Sequence, residues 1–303
     1  MSDRLHGILG ATGYIGERLA LELRERREPV RALARIPERA HRLAAAGAEV
    51  RRADVLEREG LDEALEGVSV LYYLVHSMGR GSAGDFAEGD ARGARNAAEA
   101  ARRAGVELIV YLGGLSDGGS KHLESRHDTA SALASAGVPV TYARAATVLG
   151  AGSESFRIVA HLVRRLPLMI TPRWVSVRTQ PIGIDDVVRY LADVPDVRAA
   201  WGRELELGGA DVTTYGGLMD IAAEAMGMRS RRRLAVPLLT PRLSSLWVGL
   251  ITPVDPGVAR PLIEGLGTET VVRDPSGMGL FDFEPADART AMRAAVRGFE
   301  GRA

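Results

Sequence analysis

The segment Leu5-His6-Gly7-Ile8-Leu9-Gly10-Ala11-Thr12-Gly13-Tyr14-Ile15-Gly16 decides the fold. Leu5–Leu9 is an apolar, strand-like run. Tyr14–Arg27 continues as a helix, with Ile15, Leu19, Leu21 and Leu23 among its apolar positions. Three glycines mark the junction. Gly10 suits the tight turn, Gly13 lets a phosphate group come close to the backbone, and Gly16 lets helix and strand pack closely. The helix start adds unpaired amides and a partial positive charge. A glycine triplet alone is a weak signal; its place between a strand and a helix makes it a pyrophosphate cradle.

The same alternation runs outward through the first half of the chain. Strands are expected at Val30–Ala34, Glu49–Arg52, Ser69–Val75, Glu107–Leu112 and Val138–Ala143. Helices are expected at Pro37–Ala46, Glu57–Leu65, Asp85–Ala104 and Leu123–Ala136, the last closed by Gly137. Strands separated by helices of this length imply right-handed crossovers and a parallel sheet covered on both faces. After Gly150 the pattern loosens into a helix at Glu154–Arg165, irregular chain over Leu166–Gln180, and a short helix at Ile184–Leu191. A strand at Leu205–Leu207 and a helix at Tyr215–Ala225 follow. The fold class is therefore α/β: a doubly wound parallel sheet of the Rossmann type with a smaller C-terminal α/β lobe. Residues 1–150 are expected to form the dinucleotide-binding domain. Residues 151–303 are expected to complete the sheet edge and supply the substrate lobe.

The end of the second strand selects the cofactor. An acidic residue there, about 20 residues past the glycines, would bind the ribose 2′-hydroxyl of NAD. Val30-Arg31-Ala32-Leu33-Ala34-Arg35 has none. Arg35, with Arg31 earlier on the strand, offers a guanidinium to a 2′-phosphate. NADP(H) is the preferred cofactor and NAD(H) the allowed second; a solvated surface arginine is the alternative for Arg35. Asp54-Val55, after the third strand, is placed either to meet the adenine edge or simply to make a turn. The cofactor-binding set is Gly10, Thr12, Gly13, Tyr14, Ile15, Gly16, Arg35, Asp54, Val55, Val75 and His76.

Composition removes other classes of function. The 303 residues carry 39 basic and 39 acidic side chains, so no general attraction to nucleic acid or an anionic membrane is built in. There is no cysteine, which excludes disulfides, thiolate metal sites and cysteine nucleophiles. The six histidines show no metal-ligand spacing, so no metal is expected. No signal peptide fits the start, and the longest apolar run, Leu243–Ile251, is too short for a bilayer, so the expected location is the cytoplasm. Arg229, Arg231, Arg232 and Arg233 form a basic patch, read as a solvated loop or an anion contact. Leu246, Trp247, Leu250 and Ile251 share a helix face. Core of the small lobe is the favoured reading there, with a greasy pocket, a homodimer face or shallow membrane contact as alternatives.

The glycine loop, the Val30–Arg35 strand and Ala53-Asp54-Val55 carry a family resemblance. So do the run Leu71–Gly79, Asn96 with Ala97-Ala98-Glu99-Ala100, Tyr111–Leu115, Gln180–Val187 and Pro241–Trp247. Together they resemble the atypical short-chain dehydrogenase/reductases, in the branch with NmrA-like proteins and the Rossmann-fold accessory subunit of respiratory complex I. The resemblance implies a cofactor at the strand C-termini. By the rule for doubly wound sheets it lies at the switch point between first and fourth strands. His76 and Ser77, beyond the fourth strand, fall near the nicotinamide end, where His76 is either a site residue or a packed structural one.

The family's catalytic pattern, Tyr-x-x-x-Lys plus a serine, is broken. The matching segment is His122-Leu123-Glu124-Ser125-Arg126, and the serine position after the fifth strand reads Gly113-Gly114. Two readings stay open. In one, hydride transfer to a small carbonyl or enone substrate proceeds with His122 as proton donor, Arg126 on the ribose hydroxyls and His76 as the next candidate. In the other, the chain binds NADP(H) without turnover, as a redox sensor or an assembly subunit. Lys121, the only lysine, is turned about 100° away from the motif on a helix and takes no role.

Overall fold

The structure is a computed structural model describing residues 4–75, 85–115, 121–165, 168–171, 173–229, 232–235 and 267–301. In chain order the strands are β1 (Leu5–Leu9), β2 (Val30–Ala34), β3 (Glu49–Arg52), β4 (Val68–Tyr73), β5 (Leu108–Gly114) and β6 (Val140–Ala145). Then come β7 (Val148–Leu149), β8 (Leu168–Thr171), β9 (Arg178–Thr179), β10 (Ile182–Gly183), β11 (Glu204–Leu207), β12 (Thr213–Thr214) and β13 (Arg232–Ala235). The helices are α1 (Tyr14–Glu25), α2 (His41–Ala45), α3 (Leu61–Leu65), α4 (Asp85–Ala104), α5 (Lys121–Ala134) and α6 (Glu154–Arg165). They continue with α7 (Ile184–Asp193), α8 (Tyr215–Ala225) and a C-terminal helix, Ala288–Glu300.

Seven strands form one parallel sheet in the order β3-β2-β1-β4-β5-β6-β11. Ile8 stands opposite Ala32 on one side and Tyr72 on the other. Strand order reverses between β1 and β4, so a crevice opens there at the C-terminal edge. The inner strands alternate between two buried faces, which is why they read as nearly continuous apolar runs, while the edge strands β3 and β11 carry exposed charged residues. Ile8, Val70, Tyr72, Leu108 and Val110 pack against Leu19 and Leu23 of α1 and Val187 and Leu191 of α7. Leu9, Leu71, Tyr73, Ile109 and Tyr111 pack against α3, α4 and α5. On α4 the contact is made by Ala94, Ala97, Ala100 and Ala101, all fully buried. Such small side chains bring the helix close, and a larger one there would overpack by about 1–3 kcal/mol. A third cluster joins Phe156 and Leu162 of α6, Leu218 and Met219 of α8, Met292 and Val296 of the C-terminal helix, and Trp174.

Several expected elements shorten for local reasons. The helix expected at Glu57–Leu65 begins only at Leu61, because the Asp54 carboxylate accepts from the amides of Leu56 (2.8 Å) and Glu57 (3.4 Å) and holds a turn. Gly60 then enters the helix in a left-handed conformation, φ 64°. The Pro37–Ala46 helix starts as a tight turn over Pro37–Ala40 before α2. The stretch expected to be irregular holds β8 and β9. Leu243–Ile251, with Trp247, and Arg231 of the basic patch lie outside the described residues. Among the described residues no helix is long and apolar enough to cross a membrane, and no group of three or more potential ligands could hold a metal ion.

Candidate cofactor and catalytic site

The glycine turn has the geometry that its sequence implies. Gly10 sits at φ +85°, and a Cβ there would lie 2.7 Å from the Leu74 carbonyl oxygen. The turn therefore passes directly over the end of β4, and Leu74 is tied to β1 through its amide on the Leu9 carbonyl (2.9 Å). A Cβ on Gly16 would collide with the Gly10 carbonyl oxygen, so this glycine is what lets α1 start against the turn. Gly13 is the N-cap of α1, and no side chain caps the helix. The amides of Tyr14, Ile15 and Gly16, in the first turn, have no helical acceptor behind them. Thr12 and Gly13 are exposed, and a Cβ on Gly13 would meet only the Gly10 carbonyl oxygen, at 3.2 Å. This is an open, uncapped helix N-terminus with accessible backbone, and a dinucleotide pyrophosphate fits it.

Tyr14 braces the turn from behind. Its ring lies against Gly150 and Gly152, where a Cβ would come 2.5 Å from the hydroxyl oxygen and from a ring carbon respectively. Ile15 packs on the core beside it. The contact joins the turn after β7 to the glycine loop, a link between distant segments that no local pattern announces.

The two arginines of β2 separate. Arg31 is spent on structure: its Nε donates to Glu49 at 2.7 Å, and its Nη1 to the carbonyls of Ala64 (3.0 Å) and Glu66 (2.6 Å). Arg35 is exposed at the strand's C-terminal end and pairs with no carboxylate among the described residues. Asp54 makes the turn described above, and buried Val55 follows it. Asn96 of α4 fixes that loop by donating to the Val55 carbonyl at 2.7 Å. This contact gives a physical role to Asn96, which the sequence shows only as part of a run that carries the family resemblance. Val75 is half-buried just past β4.

On the catalytic side, His76 and Ser77 lie outside the described residues. The backbone puts His122 in the first turn of α5, where no side chain is described. Arg126, one turn on, is half-buried, and its Nη1 approaches the Leu112 carbonyl oxygen of β5 at 3.5 Å, a long contact. His122 and Arg126 thus share the helix that leaves the C-terminal end of β5, while the glycine loop sits two strands away in the sheet. Neither Tyr111, within the Tyr111–Leu115 run, nor Tyr142 has a role assigned from the sequence alone. They stack with ring centroids 5.0 Å apart and planes at 22°, and His127 meets Tyr142 edge-on at 5.8 Å.

The family model described as NAD(P)H-binding matches residues 10–155, from the first glycine of the turn to the start of α6. The match spans just under half of the chain. The resemblance to the atypical short-chain dehydrogenase/reductases is borne out in this NAD(P)H-binding region. No curated protein gives a significant match to the chain. Among solved structures the chain is similar to triphenylmethane reductase from Citrobacter sp., complexed with NADP(H) (20% identity, 96% of this chain and 99% of that one, TM-score 0.74). It is also similar to the NADPH-dependent quinone oxidoreductase QOR2 from Escherichia coli, complexed with NADPH (22% identity, 95% and 98%, TM-score 0.75). A nucleoside-diphosphate-sugar epimerase from Staphylococcus aureus is a third (16% identity, 96% and 99%, TM-score 0.75). At these identities the likeness establishes the fold, over nearly the whole of each chain.

Proposed function

We propose that this NAD(P)H-binding chain is an NADP(H)-dependent oxidoreductase acting on a small carbonyl or enone compound. The observation that carries the cofactor choice is Arg35, exposed and without a carboxylate partner among the described residues, while Arg31 on the same strand is fully engaged. A guanidinium there offers a planar fork to the 2′-phosphate, which NAD(H) lacks. The triphenylmethane reductase and QOR2 structures, both with the phosphorylated cofactor, support the same choice. When bound, the reduced nicotinamide supplies hydride. The chain would hold the pyrophosphate on the amides of Tyr14, Ile15 and Gly16, the 2′-phosphate on Arg35, and the adenine beside Asp54 and Val55. The proposal includes a cofactor domain over 1–150, a substrate lobe completing the sheet edge over 151–303, a homodimer, and a cytoplasmic location.

In calorimetric titration NADPH is expected to bind at least tenfold more tightly than NADH. Arg35→Glu is expected to erase that preference, a loss of about 1.5–3 kcal/mol for a charge-assisted contact. Equal affinity for both cofactors, unchanged by the substitution, refutes the assignment. Absorbance at the nicotinamide band, followed with a panel of ketones, aldehydes and enones, tests turnover. The second reading, binding without turnover, is favoured by one observation: Gly113, His122 and Arg126 stand where the family pattern has serine, tyrosine and lysine. NADPH bound tightly but left unoxidised by the whole panel selects it.

A further inference from the structure

Arg126, which the family resemblance would set on the ribose hydroxyls, stands at the C-terminal end of β5 in surroundings that suit a different role. Arg126 stands beside three buried tyrosines, Tyr73, Tyr111 and Tyr142. The Tyr111 hydroxyl faces Arg126 and Thr129 as hydrogen-bonding neighbours, and the Tyr142 hydroxyl is buried without a hydrogen-bond partner among the described residues. A Cβ on Gly113 would lie 2.7 Å from both the hydroxyl oxygen and a ring carbon of Tyr142. Tyr142 therefore fills, from β6, the space that a serine at 113 would need.

Burial raises the pKa of all three tyrosines, and Arg126 is a cation that opposes the shift at each. Arg144 opposes it at Tyr142, while Asp90 reinforces it at Tyr73 and Tyr111 and Glu204 at Tyr142. The phenols stay protonated. Arg126 stays charged at any working pH and cannot act as a base. A fixed cation backed by neutral phenols is equipped to stabilise negative charge rather than to move protons.

Building on the oxidoreductase reading, we infer that Arg126 binds the substrate oxygen that becomes negative during reduction, and that this suits the site to conjugated acceptors. In an enone, hydride forms a bond to the β-carbon. The C=C pair shifts to join the α-carbon to the carbonyl carbon, and the carbonyl π pair comes to rest on oxygen as an enolate. Arg126 pairs with that oxygen, and water later delivers a proton to the α-carbon. The two electrons come from the reduced nicotinamide, which is oxidised. An isolated ketone would instead give a strongly basic alkoxide that needs a proton donor at once.

The test uses the full chain with NADPH, 2-cyclohexenone and cyclohexanone, and the variants Arg126→Gln and Arg126→Lys. The enone should be reduced and the saturated ketone should not, with a rate independent of pH from about 6 to about 9 because a guanidinium does not titrate there. Arg126→Gln should lower kcat for the enone by about 10²–10³-fold, the effect of losing an oxyanion contact. NADPH affinity should change by less than about threefold, which separates this role from uniform cofactor binding. Arg126→Lys should recover part of the rate. A second readout needs no turnover. With NADP⁺ present, 4-nitrophenol should bind as its phenolate, seen in its absorbance, and this shift should disappear in Arg126→Gln. Three results overturn the inference: equal reduction of both compounds, an Arg126→Gln loss confined to NADPH affinity, or an unchanged nitrophenol spectrum in that variant. If NADPH binds but neither compound is reduced, the oxidoreductase reading fails together with the selectivity. The nitrophenol shift then decides the Arg126 assignment alone.

Discussion

Gly13→Val should abolish NADPH binding and leave the fold intact. The backbone at Gly13, φ −80° and ψ 165°, is open to any residue, so the substitution brings no backbone strain. A Cβ would meet only the Gly10 carbonyl oxygen, at 3.2 Å, and the branches of valine would extend into the space before the uncapped start of α1. A pyrophosphate accepting from those amides needs the same space. The expected loss is at least about 100-fold in affinity, since charge-assisted contacts to several amides go together. Gly16 has the same place in the motif and the opposite consequence. Its Cβ would collide with the Gly10 carbonyl oxygen and come within 3.0 Å of the Ala11 Cα, backbone atoms that cannot swing aside. Gly16→Ala should therefore cost about 1–3 kcal/mol of stability as overpacking. Circular dichroism melting beside a cofactor titration separates the two. A folded Gly13→Val variant that binds NADPH like wild type shows that the loop has been misread.

The contrast marks what the sequence conveys. That a strand, a glycine turn and a helix stand at 5–16 is local information, and the alternation of apolar runs and helices to Ala145 is equally local. Both sets of elements follow from them, and the strand reversal at β1 and β4 follows from the rule for the doubly wound fold they imply. Contacts between distant segments do not. Arg31 and Arg35 lie four residues apart on one strand and look equivalent as letters. Only the register of β2 against β3, which sets Arg31 beside Glu49, shows that one is consumed and the other left available. Tyr142 over Gly113 likewise depends on the pairing of β5 with β6, where Tyr111 faces Tyr142. The C-terminal helix is a different case, because its signal was present. Asp287 precedes an alanine-rich periodic run, and its carboxylate caps the helix by accepting from the Thr290 amide at 2.6 Å. The preceding prolines and glycines masked that start.

At the opposite end of the sheet from the cofactor crevice, His6 should make the protein lose stability in mild acid. His6 is 2% exposed on β1, stacked on Tyr72 at 5.9 Å. Burial, helped by the Arg4 charge and opposed by Asp196, lowers its pKa from 6.5 to about 4. Glu28 is the nearest carboxylate, with Oε2 3.7 Å from His6 Nε2, too far for a hydrogen bond, and both atoms are buried without partners. The folded protein therefore keeps the ring neutral where the unfolded chain would protonate it. Above about pH 6.5 neither state takes the proton, and the stability is fully present. As pH falls from 6.5 towards 4 the unfolded chain alone is protonated, and stability drops by about 1.4 kcal/mol per unit. Below about 4 both states carry the proton, and the loss levels off near 3 kcal/mol. Other carboxylates titrate in the same range, so the measurement is a difference: urea unfolding of wild type and His6→Gln at intervals between pH 7 and pH 4. The variant should be less stable at pH 7, through the lost stacking on Tyr72, but its stability should fall less steeply with acid. Parallel curves for the two proteins would mean that His6 takes up its proton as readily in the fold as outside it.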